Sequence, residues 1–285
     1  MRWWCSALLG VPWSWRWQAY PGVWLFVLAL AVAYTWSVRR LPDNGQLTTD
    51  NAADRQPASP RDITLFALGL LMLWIGADWP VGVLAAGYLL SVKTLQYLLL
   101  GYIAPGLMLL GTPAPLLRRL TRGPVTSRLA RLLTRPLIPL AVANGVLVAV
   151  HLPVVVDNLS RSQIWTFVLD LAVIGSGFVF WWPALARLPE LHPMSYGARI
   201  GYLGLNVFLP TVPASFFTFS QYPIYALYEL APRVNGISAV ADQRVAGILM
   251  KLCGGGILFG TMSVMFFRWY RRESGAEPEG LRVPG

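Results

Sequence analysis

Charged residues are scarce in this chain, and their scarcity excludes an ordinary soluble domain. Of the 285 residues, 13% are charged and 55% are hydrophobic, and the mean hydropathy is +0.52. A soluble domain carries about 25% charged residues. We therefore predict an all-α, polytopic membrane protein folded as a helical bundle.

Histidine and cysteine occur only twice each, as His151 and His192 and as Cys5 and Cys253. In the topology argued below, the two histidines lie on opposite sides of the membrane. This placement excludes a multi-histidine haem or zinc site within one chain. Cys5 falls near the outer surface and Cys253 inside a span, so we expect no disulfide between them.

Sequence motifs of common enzyme classes are also missing. The chain has no glycine-rich phosphate loop, no G-x-S-x-G nucleophile elbow and no H-E-x-x-H zinc motif. We predict that the protein is not an enzyme.

Long apolar runs give the number of transmembrane helices. A hydrocarbon core of ~30 Å needs about 20 apolar residues per helix. Seven segments meet this requirement, near residues 20–38, 62–78, 81–110, 137–155, 163–185, 198–219 and 237–267. The third and seventh are long, and we expect them to be tilted or broken, with Pro105 and Gly254-Gly255-Gly256 as weak points.

The arginines give the predicted orientation, because they cluster after the first, third and last spans. They are Arg39, Arg40, Arg55 and Arg61, then Arg118, Arg119, Arg122, Arg128, Arg131 and Arg135, and finally Arg268, Arg271 and Arg272. With seven spans these regions share one side, which the positive-inside rule makes cytoplasmic, so the N-terminus is outside. The net charge of +10 thus favours anionic lipid, and not nucleic acid, as a partner.

The domain organisation follows from these segments. Residues 1–19 hold five tryptophans and two arginines, a composition typical of an interfacial segment. Residues 20–272 form the seven-helix transmembrane domain, in which the polar, turn-rich stretch 41–61 is predicted to be a flexible cytoplasmic loop. Residues 273–285 are predicted to be a cytoplasmic tail. A cleavable signal ending near residues 29–31 would place the next arginines outside, against the positive-inside rule.

The chain has only two lysines, Lys93 and Lys251, and both fall inside predicted spans. Each lies about 12 residues from the outer start of its span, roughly 18 Å deep, so we expect similar depths. The lysines either line a polar cavity, or snorkel or pair with a carboxylate on a neighbouring helix. Asp170 in the fifth span and Asp242 at the start of the seventh are the candidate partners, although Asp242 also suits a helix N-terminus.

Other polar and sulfur-containing side chains in or near the spans also have both a structural and a functional interpretation. His151 lies near the outer end of the fourth span, with Asp157 six residues on, and is either a hydrogen-bonded structural residue or a ligand. Met250 and Cys253, at i and i+3, share a face of an α-helix. With His151 they are candidate ligands for Cu(I), which prefers soft donors, or else packing residues.

Five segments occur in an order that is similar to a known family. They are LQYLLLGYIAPGLMLLGTP (95–113), HLPVVVD (151–157), FVFWWPAL (178–185), SQYPIYALYE (220–229) and ADQRVAGILMKLCGGG (241–256). They resemble, in turn, the H-x-x-Q-H-L-L-L…A-P-P-L-L-x-L-G-x-P helix, the H-x-P…D segment, the F-W-W-P element, the Tyr-Pro-rich loop and the D-Q-Q-x-x-G-G/A-x-x-M-W-x-P-G-G stretch of the CtaG-like cytochrome c oxidase assembly factors. The resemblance runs from about Val81 to Arg271.

The resemblance implies a multi-pass protein of the bacterial cytoplasmic membrane that assists maturation of a haem-copper oxidase, with copper-centre formation as the usual proposal. It implies oxidase subunits or a copper chaperone as partners. Gln96, Asp242 and Gln243 fall in the matching motifs and are further functional candidates.

The chain departs from the family pattern at two lysines and two of their neighbours. Aligned on Gln96, Lys93 and Tyr97 stand where the family has two histidines four residues apart, a spacing that suits a metal pair. Lys251 and Cys253 stand where the family has tryptophan and proline. A protonated lysine has no lone pair and neutral tyrosine is a poor soft-metal ligand. We therefore expect weak copper binding or none, with the lysine cation replacing the charge of the metal.

Two other functions stay open beside assembly of the oxidase. Buried Lys93, Lys251 and Asp170 also suit a small-solute or proton pathway. A permanent structural subunit of an oxidase complex is the third possibility.

Overall fold

The protein is described by a computed structural model over residues 2–40, 58–185, 188 and 194–274. These residues form an all-helical structure, as predicted, and contain no strand. Arg55 and most of the predicted 41–61 loop lie outside the described residues. His192 and residues 275–285 of the predicted tail also lie outside them.

The described part of the chain forms fifteen α-helices and two π-helical segments, and each π segment joins the α-helices on either side of it without a break. They are α1 (Pro21–Arg39), α2 (Pro60–Ala77), α3 (Val81–Gly87), α4 (Leu90–Tyr97), the π segment Leu98–Ile103, α5 (Ala104–Leu110), α6 (Ala114–Leu120), α7 (Pro124–Leu133), α8 (Leu137–Val150), α9 (Pro153–Leu159), α10 (Gln163–Leu185), α11 (Tyr196–Phe208), α12 (Thr211–Phe219), α13 (Ala226–Glu229), α14 (Ala239–Leu249), the π segment Met250–Gly254 and α15 (Gly255–Ser274).

Six helical stretches of the described chain are long and apolar enough to cross a membrane. They are Pro21–Arg39, Pro60–Ala77, Leu90–Leu110, Gln163–Leu185, Tyr196–Phe219 and Ala239–Arg271. A seventh is formed if α7 and α8, which are bent by 87° to each other, count as one span. The coarse prediction of about seven spans is confirmed at six to seven.

One contact on α6, before α7 and α8, and one at the end of α8 indicate that this part of the chain crosses the bundle. The Arg119 guanidinium donates to the Arg40 carbonyl at 3.4 Å, which places α6 where α1 ends. The Tyr225 hydroxyl donates to the His151 carbonyl at 2.8 Å, which places the end of α8 near the segment that follows α12. The predicted fourth span, 137–155, is too long, because α8 ends at Val150 and α9 begins a new helix after the His151–Leu152 corner.

The predicted third span, 81–110, is two helices. Its chain leaves helical geometry at Tyr88 and Leu89, between α3 and α4, where no break was predicted. Near the expected weak point the helix continues without a break, because the π segment Leu98–Ile103 leads directly into α5, where Pro105 occupies the first turn. Pro105 has no N–H to donate and its ring crowds the preceding turn, so regular α-helical hydrogen bonding cannot continue through it; the π segment directly before it is the local departure from α-helix.

The seventh predicted span also contains a π segment. α14, Met250–Gly254 and α15 form one helical stretch, and the π segment ends at Gly254, the first of the three glycines expected to be weak. Single-turn π insertions in α-helices are frequent at functional sites. Both long spans therefore depart from regular α-helix as π-helix near the predicted weak points, and the third span is also broken at Tyr88 and Leu89.

Glycines allow the central helices of the bundle to approach closely. Gly177 of α10 lies against the carbonyl of Gly101 in the π segment, and a β-carbon at Gly177 would lie 2.7 Å from Pro105 Cγ. Small residues at such positions replace side-chain volume with backbone contact, which is a common way for helices to pack in membranes. The close contact fixes α10 against the segment that carries Lys93 and Tyr97.

The N-terminal segment packs on this bundle at several points, since Tyr88 donates to the Val11 carbonyl at 2.9 Å and the Trp13 ring packs edge-on against Tyr88. Trp4 and Cys5 are buried, whereas Trp15 and Trp17 are exposed. The Cys5 thiol donates to the Ala77 carbonyl at 3.2 Å, and burial raises the pKa of that thiol well above its usual range. The prediction that residues 1–19 lie at the membrane interface stays a prediction.

Candidate functional site

Lys93 is buried in the bundle and paired with a carboxylate. Its Nζ lies 3.8 Å from Asp170 Oδ1, and the two residues are 5% and 1% exposed. The same ammonium donates to Gln96 Oε1 at 2.9 Å. Of the two interpretations of this lysine, pairing with a carboxylate on a neighbouring helix is therefore confirmed, and Asp170 is the partner.

Neighbouring groups hold both members of the pair in place. The Trp4 indole donates to Asp170 Oδ2 at 2.9 Å. Gln96 donates through Nε2 to the Gly76 carbonyl at 3.0 Å, so its oxygen is oriented toward the ammonium. A buried charge pair needs such hydrogen bonds around it to offset the loss of water. The pair and its neighbours bring together α2, α4, α10 and the N-terminal segment.

The two lysines do not occupy equivalent places. Because α3 is a separate helix, the count of 12 residues for Lys93 does not run along one helix axis. Lys93 is the fourth residue of α4, about 4.5 Å along it, whereas Lys251 lies about 18 Å along the helix that starts at Ala239. Lys251 is also exposed. The prediction that both lysines lie about 12 residues from the start of their helices is therefore wrong for Lys93.

Tyr97 and His151 extend the site from Lys93 toward a cavity. The Lys93 ammonium lies 4.6 Å from the centroid of the Tyr97 ring, within the range of a cation–π contact. The Tyr97 ring packs edge-on against the His151 ring at 5.5 Å between centroids. His151 Nδ1 lies 2.7 Å from the Leu147 carbonyl, one turn back on α8, so that ring nitrogen is committed to the backbone.

A cavity of about 410 Å³ opens beside these rings. Its wall includes both π segments, since Leu98, Tyr102, Met250 and Gly254 line it, and His151 contributes from the end of α8. A π insertion shifts the side chains that follow it around the helix axis. The two departures from α-helix thus meet at one place, next to the Lys93–Asp170 pair.

The candidate copper ligands do not fit a copper ion. His151 and Met250 line the cavity, but so does Lys251, whose ammonium repels a cation. Cys253 is exposed and does not line the cavity. In the described residues no group of three or more His, Cys, Asp or Glu side chains is arranged to hold a metal. The predicted shared face of Met250 and Cys253 is wrong, because the i, i+3 rule applies to an α-helix and this segment is π-helical.

The remaining predicted site residues make structural contacts. Asp242 accepts from the Leu90 amide at 2.5 Å and also contacts the amide and hydroxyl of Ser91. It therefore caps the N-terminus of α4, a helix other than its own, where a negative charge is favoured. Asp242 is thus not a partner of Lys93.

Gln243 and Asp157 hold the segment between α12 and α14. Gln243 accepts from the Ile224 amide at 2.8 Å and donates to the Tyr222 carbonyl at 3.2 Å. Asp157 accepts from the Leu227 amide at 2.9 Å, at the start of α13. These residues of the H-x-P…D and D-Q motifs therefore fix the position of that segment. Among the described residues, none of their hydrogen bonds is to Lys93 or Asp170.

Sequence reasoning missed two contributors to the site. Trp4 was assigned to an interfacial segment on composition, although its indole reaches Asp170. Asn206 is buried, accepts from the Asn144 amide group at 2.9 Å, and lines the cavity. The sequence signal for this contact was the presence of two asparagines, Asn144 and Asn206, within apolar spans. Polar side chains in a bilayer form hydrogen bonds with other helices.

Comparison with known proteins adds one finding to this geometry. No curated protein and no solved structure matches the chain. The model of the family described as cytochrome c oxidase caa3 assembly factor (Caa3_CtaG) matches residues 32–272, which is most of the chain and includes every site residue predicted from the sequence. The chain therefore belongs to the cytochrome c oxidase caa3 assembly factor family.

Proposed function

We propose that this protein assists maturation of a haem-copper oxidase from within the membrane, as a non-catalytic partner of oxidase subunits that binds copper weakly or not at all. The family match over residues 32–272 carries the role in maturation. The Lys93–Asp170 ion pair, 3.8 Å apart and buried, carries the part of the proposal that concerns copper. Lys93 and Tyr97 stand where the resemblance places two metal-binding histidines. An ammonium therefore occupies the place of the metal cation.

Electrostatics explains why such an exchange preserves the scaffold. A carboxylate buried as deeply as Asp170 is costly unless a cation and hydrogen bonds accompany it. Lys93 provides a cation that needs no metal supply, and Gln96 and Trp4 provide the hydrogen bonds. The helices around the pair can then keep their arrangement in the absence of copper.

The contribution to copper-centre formation is accordingly indirect. The protein would hold an oxidase subunit, or bring it to a copper chaperone, while the metal passes directly between those partners. Leu252 and Phe259, which are exposed on the surface of the bundle, border the cavity beside the π segments. An apolar transmembrane helix of a client subunit can reach this surface from the bilayer.

Deletion of the gene followed by spectroscopy of the oxidase tests the proposal. We expect lower copper content and altered copper and haem absorption in the oxidase of the deletion strain, with recovery when the gene is restored. Restoration with Lys93→Met should fail or be partial, whereas Arg128→Gln, which removes an exposed charge on α7 outside this cavity, should restore the oxidase. A fully active, copper-replete oxidase in the deletion strain would contradict the proposal.

Two further measurements separate the alternative functions. Detergent pull-down should find the protein in substoichiometric amounts with the mature oxidase, since a permanent subunit would be stoichiometric. Liposome flux should be absent, because Lys93 and Asp170 hold each other in a buried pair. Proton or solute flux that disappears with Lys93→Met would favour a transport pathway instead.

A further inference from the structure

A second cavity lies at the end of the bundle where α2 and α11 begin and α5 and α15 approach their ends. It has a volume of about 1390 Å³, larger than the roughly 300–1,000 Å³ typical of small-molecule clefts. In the predicted topology this end faces the cytoplasm. The cavity extends along α15 from Gly256, which also borders the first cavity, to Arg271, and neither Lys93 nor Asp170 lines it.

Four arginines from three helices line this cavity: Arg61 of α2, Arg199 of α11, and Arg268 and Arg271 of α15. Among the described lining residues only one is acidic, Asp62. Its carboxylate is engaged at the N-terminus of α2, where it accepts from the Ser59 amide at 3.0 Å and from the Ser59 hydroxyl at 2.8 Å. The described wall of the cavity therefore carries an excess of positive charge.

Arg199 has hydrogen-bonding capacity that the fold leaves unused. Its Nε is buried and has no hydrogen-bond partner among the described residues, and its guanidinium lies 5.8 Å from the Tyr196 ring. A buried donor without an acceptor is unfavourable. A guanidinium offers paired donors that match the oxygens of a phosphate group, so an anionic headgroup would satisfy this side chain.

Most of the other described residues that line the cavity are apolar, with Ser59, Tyr196 and Thr261 as polar exceptions. Its hydrophobic residues include Leu65, Leu110, Leu185, Ile257, Val264 and Met265. A cavity that combines a cationic rim with an apolar wall is complementary to an amphiphile and not to a free ion. From charge, volume and wall chemistry we propose that it binds one anionic phospholipid, with the phosphate on the arginines and an acyl chain along the apolar wall.

Native mass spectrometry of the detergent-purified protein, titrated with phosphatidylglycerol, tests the site. The double variant Arg199→Gln with Arg268→Gln should weaken the phosphatidylglycerol Kd at least about tenfold. The matched control is Arg128→Gln with Arg131→Gln, which removes the same charge from exposed positions on α7, on the same predicted side and outside the cavity. This control should change the Kd by less than about twofold.

Two additional variants keep the test decisive if the glutamine pair folds poorly. Arg199→Lys with Arg268→Lys preserves the charge and should retain most of the binding. Gly260→Trp adds volume where the cavity is open, since a β-carbon at this position would meet no atom within 4 Å. It should weaken phosphatidylglycerol binding without changing any charge, and thermal unfolding without lipid verifies that each variant is folded.

The proposal is overturned by either of two results. Equal weakening in the cavity pair and the α7 control would show that lipid responds only to overall charge. Binding of sn-glycerol 3-phosphate or inorganic phosphate as tightly as phosphatidylglycerol would show an anion site with no role for the apolar wall.

Discussion

Removal of the Lys93 ammonium should destabilise the folded protein, because it leaves Asp170 buried without its cation. Lys93→Met preserves the length and apolar volume of the side chain but deletes the charge. The Asp170 carboxylate would keep only the Trp4 hydrogen bond at 2.9 Å, since its Oδ1 has no hydrogen-bond partner among the described residues. Gln96 would lose the donor to its Oε1.

The expected magnitude follows from the burial of both partners. Breaking a buried ion pair by removing one member costs about 3–5 kcal/mol. At roughly 2–4 °C per kcal/mol, the midpoint of thermal unfolding should fall by roughly 6–20 °C. Replacement of both members, Lys93→Met with Asp170→Leu, should recover most of this loss, because an apolar pair leaves no uncompensated charge.

Thermal unfolding of the purified protein in detergent, monitored by tryptophan fluorescence, measures these differences in a double-mutant cycle. Lys251→Met is the matched control, because Lys251 is exposed and forms no ion pair among the described residues. Its effect should stay within about 0.5 kcal/mol. The reasoning would be refuted if Lys93→Met melted like the control, or if the double variant were less stable than both single variants.

Three shorter predictions concern packing, topology and reactivity. Gly177→Ala should destabilise the fold by about 1–3 kcal/mol, because a β-carbon there meets the Gly101 carbonyl, whereas Gly175→Ala, with open space around it, should be neutral or stabilising in chemical unfolding. A reporter fused at Gly123 should be active in the cytoplasm; a periplasmic signal would contradict the seven-span topology. Cys5, buried and with a raised pKa, should resist N-ethylmaleimide at about pH 7.5 until the protein is denatured, and rapid labelling of the native protein would show that the N-terminal segment detaches.

The sequence was sufficient for the coarse architecture because composition and apolar run length are local properties. The extent of the long spans was harder to predict. The break at Tyr88 and Leu89 and the two π segments depend on how neighbouring helices pack, and no single-residue signal marks them. Pro105 and Gly254 indicated only that regular helix would be disturbed nearby.

The residues that contact Lys93 and Asp170 could likewise be predicted only in part. A lone lysine in an apolar span predicts a carboxylate partner, and two candidates were available. The structure selects Asp170, because Asp242 is used to cap α4. The contribution of Trp4, 166 residues away from Asp170 in the chain, required the fold itself. Whether residues 1–19 also contact the membrane interface stays a prediction.

The copper content of the purified protein tests the central claim most directly, namely that Lys93 replaces a metal in this scaffold. After purification under reducing conditions, elemental analysis should find less than one copper per chain. Lys93→His with Tyr97→His should raise that occupancy, since both side chains would then lie near His151, whose ring packs against Tyr97 at 5.5 Å. Stoichiometric Cu(I) in the unmodified protein, lost on His151→Ala or Cys253→Ser, would contradict the claim.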